Sequence, residues 1–145
     1  MSLTARQQQL LDDLVFIDDL QERLAAVVER ARGRPKLSAE QRTPAHRVPG
    51  CTSNVWLVSQ LHEGRCHFHP DADSPVVLGL VTLLTDFHND LTPAELLAST
   101  SDPLEALNLS RTLSPTRRHG LTAVRTALRA FAQTQLLTNR ANSRE

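Results

Sequence analysis

The sequence predicts an α+β fold in which helices cover a small antiparallel sheet of about three strands. Three observations predict it. Apolar/polar alternation is confined to one central stretch, apolar stripes of helical period lie on both sides of that stretch, and the helix starts carry clear caps. The chain has 145 residues, 40% of them hydrophobic and 22% charged, which is a globular composition for a single domain spanning 1–145.

Taken in order, a short helix is expected around Gln7–Leu14. Asp19 with Glu22 starts the next, with Leu20, Leu24, Val27, Val28 and Ala31 as its apolar stripe and Gly33 and Pro35 as its stop. Arg47-Val48 is a candidate third strand. Asn54 to His62 reads as a strand with Val55, Leu57, Ser59 and Leu61 on one face and Trp56, Val58 and Gln60 on the other. Glu63-Gly64 turns the chain, and Arg65 to His69 returns as a short strand. Ser74-Pro75, Thr92-Pro93, Asp102-Pro103 and Ser114-Pro115 each set a capping oxygen before a proline at the first helical position. Glu95 and Glu105 follow two of those caps at capping-box spacing. Val76, Val77, Leu80, Val81, Leu83, Leu84 and Phe87 give the broad stripe of a central helix. Leu121, Val124, Leu128, Phe131 and Gln135 give that of a long last helix, with Arg118, Arg125 and Arg129 along a separate face.

Composition also narrows function. No apolar run reaches the roughly 20 residues of a membrane span, and the first residues lack a secretory signal pattern, so a cytoplasmic protein is expected. Net charge is zero and there is no Tyr, which argues against nucleic acid as a partner. The charges are nonetheless segregated. Asp71 to Glu105 holds seven carboxylates and no Lys or Arg, whereas Ala106 to Glu145 holds seven Arg and one acid. Either the two stretches neutralise each other in the fold, or they polarise a surface that meets another protein.

Cys51 and Cys66 are the only cysteines, too few for a cluster scaffold. Cys51 lies in Val48-Pro49-Gly50-Cys51-Thr52-Ser53-Asn54, where Pro-Gly suits a turn that presents the cysteine at a loop tip. Gly50 leaves room for a partner, and Thr52 and Ser53 are donors to an anionic sulfur. Two readings stand on these residues alone: a presented thiol, or a small hydrophobe filling a gap. Spacing tests other chemistries. Asn54 stands where a dithiol motif needs a second Cys, and Leu57 where a phosphatase loop needs Arg. His88-Asn89 gives a protease partner only without a supporting signature. His62, Cys66 and His69 fail as a zinc site, because strand alternation sends Cys66 and His69 to opposite faces, and no metal is expected. Arg117 and Arg118 fall in the first turn of the last helix, where a cation opposes the helix dipole by about 0.3–1 kcal/mol. Asp71, Asp73 and an anionic sulfur on Cys51 are candidates to offset them; the alternative is an exposed pair at negligible cost. Trp56 is expected in the core or as a wall beside the cysteine.

Gly50-Cys51-Thr52-Ser53-Asn54-Val55-Trp56 resembles the Gly-Cys-x-Ser-x-Val-Trp motif of SufE-type sulfur acceptors, the partners of cysteine desulfurases. Two further blocks follow in that family's order: Asp71-Ala72-Asp73 with Val76 to Leu80 and Thr92-Pro93, then Leu113-Ser114-Pro115-Thr116-Arg117 with Gly120-Leu121. The match runs from about Leu14 to Ala132. Thr52, Leu20 and the segment Asp86 to Asp90 depart from the usual residues. The resemblance implies a SufE/IscU-like sandwich, monomeric or homodimeric, with Cys51 as persulfide carrier. It implies Arg117 and Asp73 in support, and Gly50, Thr52, Ser53, Trp56 and Asp71 around the loop and partner surface. The implied donor is a pyridoxal-phosphate (PLP) dependent cysteine desulfurase, the receiver an iron–sulfur scaffold protein, and the PLP belongs to the donor rather than to this chain. Cys66 is expected to be dispensable. A non-catalytic adaptor and a thiol-dependent hydrolase are the alternative readings.

Overall fold

The structure, a computed structural model, describes residues 3–143, with side chains to residue 138. Helices α1 (Ala5–Val15) and α2 (Leu20–Arg32) lead through a loop and a 3-10 turn at Pro44–His46 into the hairpin β1 (Val55–His62) and β2 (Arg65–Ala72). Then come α3 (Pro75–His88), α4 (Pro93–Ala98), α5 (Pro103–Ala106), a 3-10 turn at Leu109–Thr112 and the long α6 (Pro115–Ser143). The expected α+β architecture is present.

The expected caps form. Asp19, Ser74, Thr92 and Asp102 side chains each accept a first-turn N–H, and Ser114 Oγ accepts from Arg117 N at 3.2 Å. Thr92 and Glu95 make a full capping box, and the N–H of Thr92 holds the Glu95 carboxyl below its ordinary range. The box expected at Asp102 does not close, because Glu105 accepts instead from Ser110 Oγ at 2.7 Å. An unforeseen box, Thr4 with Gln7, starts α1 two residues before the expected helix.

The sheet has two strands where about three were expected. Arg47 makes one isolated bridge to Trp56, and Val48 N donates to Val55 O at 2.9 Å. Gly50 at φ +88° then turns the chain away from β1. The hairpin turns on Glu63 and Gly64, both at positive φ (52° and 78°), as a two-residue turn matched to strand twist requires. Strand β2 extends beyond the expected His69 to Ala72, through Pro70. Cys66 N and Phe68 N donate outward, to Leu91 O and Asn89 Oδ1, so the N–H direction at Pro70 also points away from β1 and no ladder bond is lost.

Helix α3 lies at the centre, with Leu80, Val81, Leu83 and Leu84 fully buried. It packs on α2, β2 and α6. Helix α2 comes close because position 79 is Gly: a Cβ there would lie 2.8 Å from Val28 Cα. The Arg face of α6 docks the α4–α5 region, with Arg125 on Asp102 (3.3 Å) and Arg129 on the carbonyls of Leu97 and Ser99. That pair is the only ion pair among the described residues joining the acidic stretch to the basic one. Three other acids turn to the N-terminal half: Asp86 to Arg30 and Arg34, Asp71 to Arg42, Asp90 to Arg6. The expected mutual neutralisation is therefore small. Arg140, Arg144 and Glu145, counted in the basic stretch, lie outside the described side chains.

Candidate functional site

The bridge of Arg47 to Trp56 and the Val48–Val55 hydrogen bond close the base of a loop over residues 49–54. Gly50 adopts φ +88°, and a Cβ there would stand 3.3 Å from Ala123 Cβ of α6, so glycine meets both the conformation and the close approach. The loop lies flat on α6 and turns Cys51 inward. Cys51 is half-buried, and its Sγ–H donates to Gly120 O of α6 at 3.4 Å. A Cβ at Gly120 would sit 3.7 Å from that sulfur, in ordinary contact.

Beneath the loop lies a cavity of about 30 Å³. Val55 of β1 and Val77, Leu80 and Val81 of α3 form its apolar floor, and Leu121 and Val124 of α6 close one wall. Cys51, Thr52, Ser53, Thr116, Arg117 and Gly120 surround the rest. The space is on the scale of one water molecule, and thus of one further sulfur atom. Burial pushes the Cys51 thiol above its ordinary range, and the charge of Arg47 pulls it part of the way back. The resting group at neutral pH is mostly thiol.

The structure brings Gly50, Thr52, Ser53 and Arg117 to Cys51 and leaves other expected residues apart. Asp73 accepts from Asn54 Nδ2 at 2.7 Å and so fixes the far end of the loop. Asp71 is 1% exposed and accepts from Arg42 Nη2 at 2.7 Å, Leu37 N at 3.2 Å and Ala72 N at 2.8 Å, which ties the α2–β1 connection to β2. Neither carboxylate reaches Arg117, so the offset considered for that cation is not theirs. Trp56 is outside the cavity. It is half-buried on the other face of β1, with the Arg42 guanidinium 5.7 Å above its ring.

Two neighbours were not foreseen as site residues. Arg47 belongs to the loop's base, and its residue type four positions before a cysteine was the only signal. Ala123 lies one helical turn beyond Gly120, a small residue where the loop backbone must approach.

Cys66 is fully buried, and burial pushes its thiol up to about 11. His88, the histidine considered for hydrolase chemistry, is also buried. Its Nδ1 is bonded to Leu84 O at 2.8 Å, and it is absent from the cavity lining. No group of three or more metal-ligating side chains occurs among the described residues. None of the described helices is long and apolar enough to cross a membrane.

Residues 8–132 match the family model described as SufE, Fe-S metabolism associated domain. An uncharacterized SufE-like protein of Rhizobium etli is 31% identical over 134 residues, covering 89% of this chain and 90% of the relative. The solution structure of a hypothetical protein from Thermus thermophilus superposes with a TM-score of 0.76, at 18% identity, over 94% of this chain and 99% of that one, which establishes the common fold. With its cysteine loop folded onto α6, its two-stranded sheet among helices and a family match over most of its length, the chain belongs to the SufE family.

Proposed function

We propose that the protein is a sulfur acceptor: Cys51 takes sulfane sulfur from a PLP-dependent cysteine desulfurase, stimulates that enzyme, and passes the sulfur on to iron–sulfur cluster assembly. The observation that carries this reading is a half-buried thiol facing an apolar cavity sized for one more sulfur atom. In the transfer, the Cys51 thiolate attacks the outer sulfur of the donor's persulfide. A new S–S bond forms on Cys51, the donor's S–S bond breaks, and the donor cysteine leaves as thiolate with the bonding electron pair. No external oxidant or reductant enters, and the proton lost from Cys51 balances the one the donor thiolate can take up.

The cavity's apolar floor suits a persulfide that must survive between donor and receiver. Small thiol reductants have little room there, and loss or over-oxidation of the outer sulfur is slowed. Arg117 at the rim supports the charge of the incoming sulfur, and Asp73 supports the loop through Asn54. The PLP belongs to the donor; this chain contributes the acceptor thiol and its surroundings.

Incubation with a cysteine desulfurase, PLP and cysteine, read by intact mass, tests the proposal. Wild type is expected to gain reducible sulfur on the peptide containing Cys51. Cys51→Ser should fold, bind the desulfurase, gain no sulfur and give no stimulation, because a hydroxyl forms no persulfide. Wild type without added sulfur, or a serine variant that stimulates equally, would refute it.

A further inference from the structure

We propose that a second cavity, between the end of α2, strand β2 and the face of α3 turned from Cys51, binds a small organic carboxylate that carries a second polar group. The cavity holds about 280 Å³, against about 30 Å³ beneath the Cys51 loop, and the two share no lining residue. The helical repeat explains the division. Val77, Leu80 and Val81 of α3 line the sulfur cavity, whereas Leu78, Thr82 and Asp86, spaced four apart, line this one. Space of this size takes a substituted six-membered ring, since an apolar cavity of about 150 Å³ already holds benzene.

The walls are fixed before any ligand arrives. Arg34 donates to both oxygens of Asp86, at 2.9 and 2.6 Å. His69 Nε2 donates to Pro35 O at 2.7 Å, and Leu37 N donates to Asp71 at 3.2 Å. Segment 34–37 is thereby pinned to α3 and β2 at three points, which makes the cavity a pre-formed one.

Within these walls the polar groups are unevenly satisfied. Both lining carboxylates are answered by cations, Asp86 by Arg30 and Arg34, and Asp71 by Arg42. Lys36 also lines the cavity and has no ion-pair or hydrogen-bond partner among the described residues, so the charge left free is positive. Thr82 is only 3% exposed, and its carbonyl accepts from Thr85 Oγ1, yet its own hydroxyl has no partner among those residues. Every fully enclosed side-chain polar atom among them is partnered, so the Thr82 hydroxyl is reached through the cavity it lines. Ala31, Phe68 and Leu78 make the apolar wall. A ligand that meets all three features has an anionic head for Lys36, an apolar body, and a hydroxyl or carbonyl for Thr82. Hydroxycarboxylates have that chemistry.

Titration of the full chain with para-hydroxybenzoate, followed by backbone amide NMR shifts, tests the site. Saturable shifts are expected at Lys36, Leu37, Phe68, His69 and Thr82, with the Cys51 loop unmoved. Benzoate, which lacks the hydroxyl, and para-hydroxybenzamide, which lacks the charge, should each bind about two- to tenfold more weakly. Thr82→Val should no longer distinguish para-hydroxybenzoate from benzoate. Lys36→Gln should lose the preference for the acid over the amide, and Lys36→Arg should keep it. Leu78→Trp, which fills the cavity, should abolish binding with the rest of the spectrum in place. The site is overturned if neither para-hydroxybenzoate nor the aliphatic β-hydroxybutyrate gives saturable shifts there at millimolar concentration. A Thr82→Val protein that still prefers the hydroxylated acid, or a Lys36→Gln protein that still prefers the acid to the amide, would overturn it as well. Sulfur chemistry at Cys51 is not read in this titration, so its result and that of the acceptor test stand independently.

Discussion

At Cys51 two requirements compete within one side chain. A carrier must shelter its outer sulfur, and shelter removes water from the thiol and disfavours the nucleophilic thiolate. The pairing of an apolar floor with Arg117 at the rim answers both, because the floor protects and the cation recovers part of the lost charge stabilisation. Arg117→Ala should therefore lower the rate of sulfur uptake several-fold with the fold unchanged, an effect that shrinks as salt rises; equal rates at low and moderate salt would reduce the residue to a surface charge. Cys66 presents the contrasting case. Its thiol lies in a fully buried site with a pKa pushed up to about 11, which makes it inert as a nucleophile at neutral pH. Cys66→Ala should keep full sulfur loading and lower stability by about 0.5–1.5 kcal/mol, the range for deleting one buried heavy atom, as denaturant unfolding would show. Loss of loading in that variant would point to a two-thiol relay instead.

The element that positions the site is α3, since it forms the cavity floor and the contact with α2. Its broad apolar stripe explains why eleven of its fourteen residues are buried. Gly79 is where that packing is tightest. In Gly79→Ala the new methyl would meet the Val28 backbone, at 2.8 Å from Cα, and backbone yields less readily than a side-chain tip. Alanine gains about 1 kcal/mol of helix propensity, but overpacking costs about 1–3 kcal/mol, so a net loss of stability is expected, with the cavity floor displaced. A lowered denaturation midpoint with faster Cys51 alkylation would show both; an unchanged or higher midpoint would mean that α2 moves freely.

For the molecule as a whole, charge placement decides how stability follows pH. His88 sits buried between Phe87 and the α5–α6 region, and burial lowers its pKa against the opposing effect of the Leu84 carbonyl. The folded state thus keeps it neutral, whereas the unfolded chain protonates it near its ordinary value of about 6.5. Protons bind the unfolded state preferentially, so stability is full above that value and is lost as pH falls below it, by at most about 1.4 kcal/mol per pH unit for one site. Urea midpoints measured from pH 7.5 down to pH 5 should fall, and His88→Phe should fall less steeply; parallel curves would exclude this origin. The buried Arg23 acts at the same scale. It donates to Val15 O, Ile17 O and Leu107 O at 2.6–2.9 Å and joins the end of α1 to the end of α5. Its position inside an otherwise plausible α2 stripe was not foreseen, because periodicity does not reveal carbonyls left free by distant helix ends.

Local chemistry made much of this protein legible in its sequence. The Ser-Pro, Thr-Pro and Asp-Pro caps, the Glu63-Gly64 turn, the apolar stripes of α3 and α6 and the Gly-Cys loop all act within a few residues, and each lies where the chain alone places it. Tertiary structure decided what depends on the partner available. It ended the third strand after one bridge, gave Glu105 to Ser110 rather than to its own cap, and bound Asp71 to Arg42 instead of Arg117. Trp56 was turned to the opposite side of the sheet from Cys51. A cap or a turn is satisfied by its own neighbours, whereas a charge or an open strand edge takes whichever partner the packing of distant segments brings within reach.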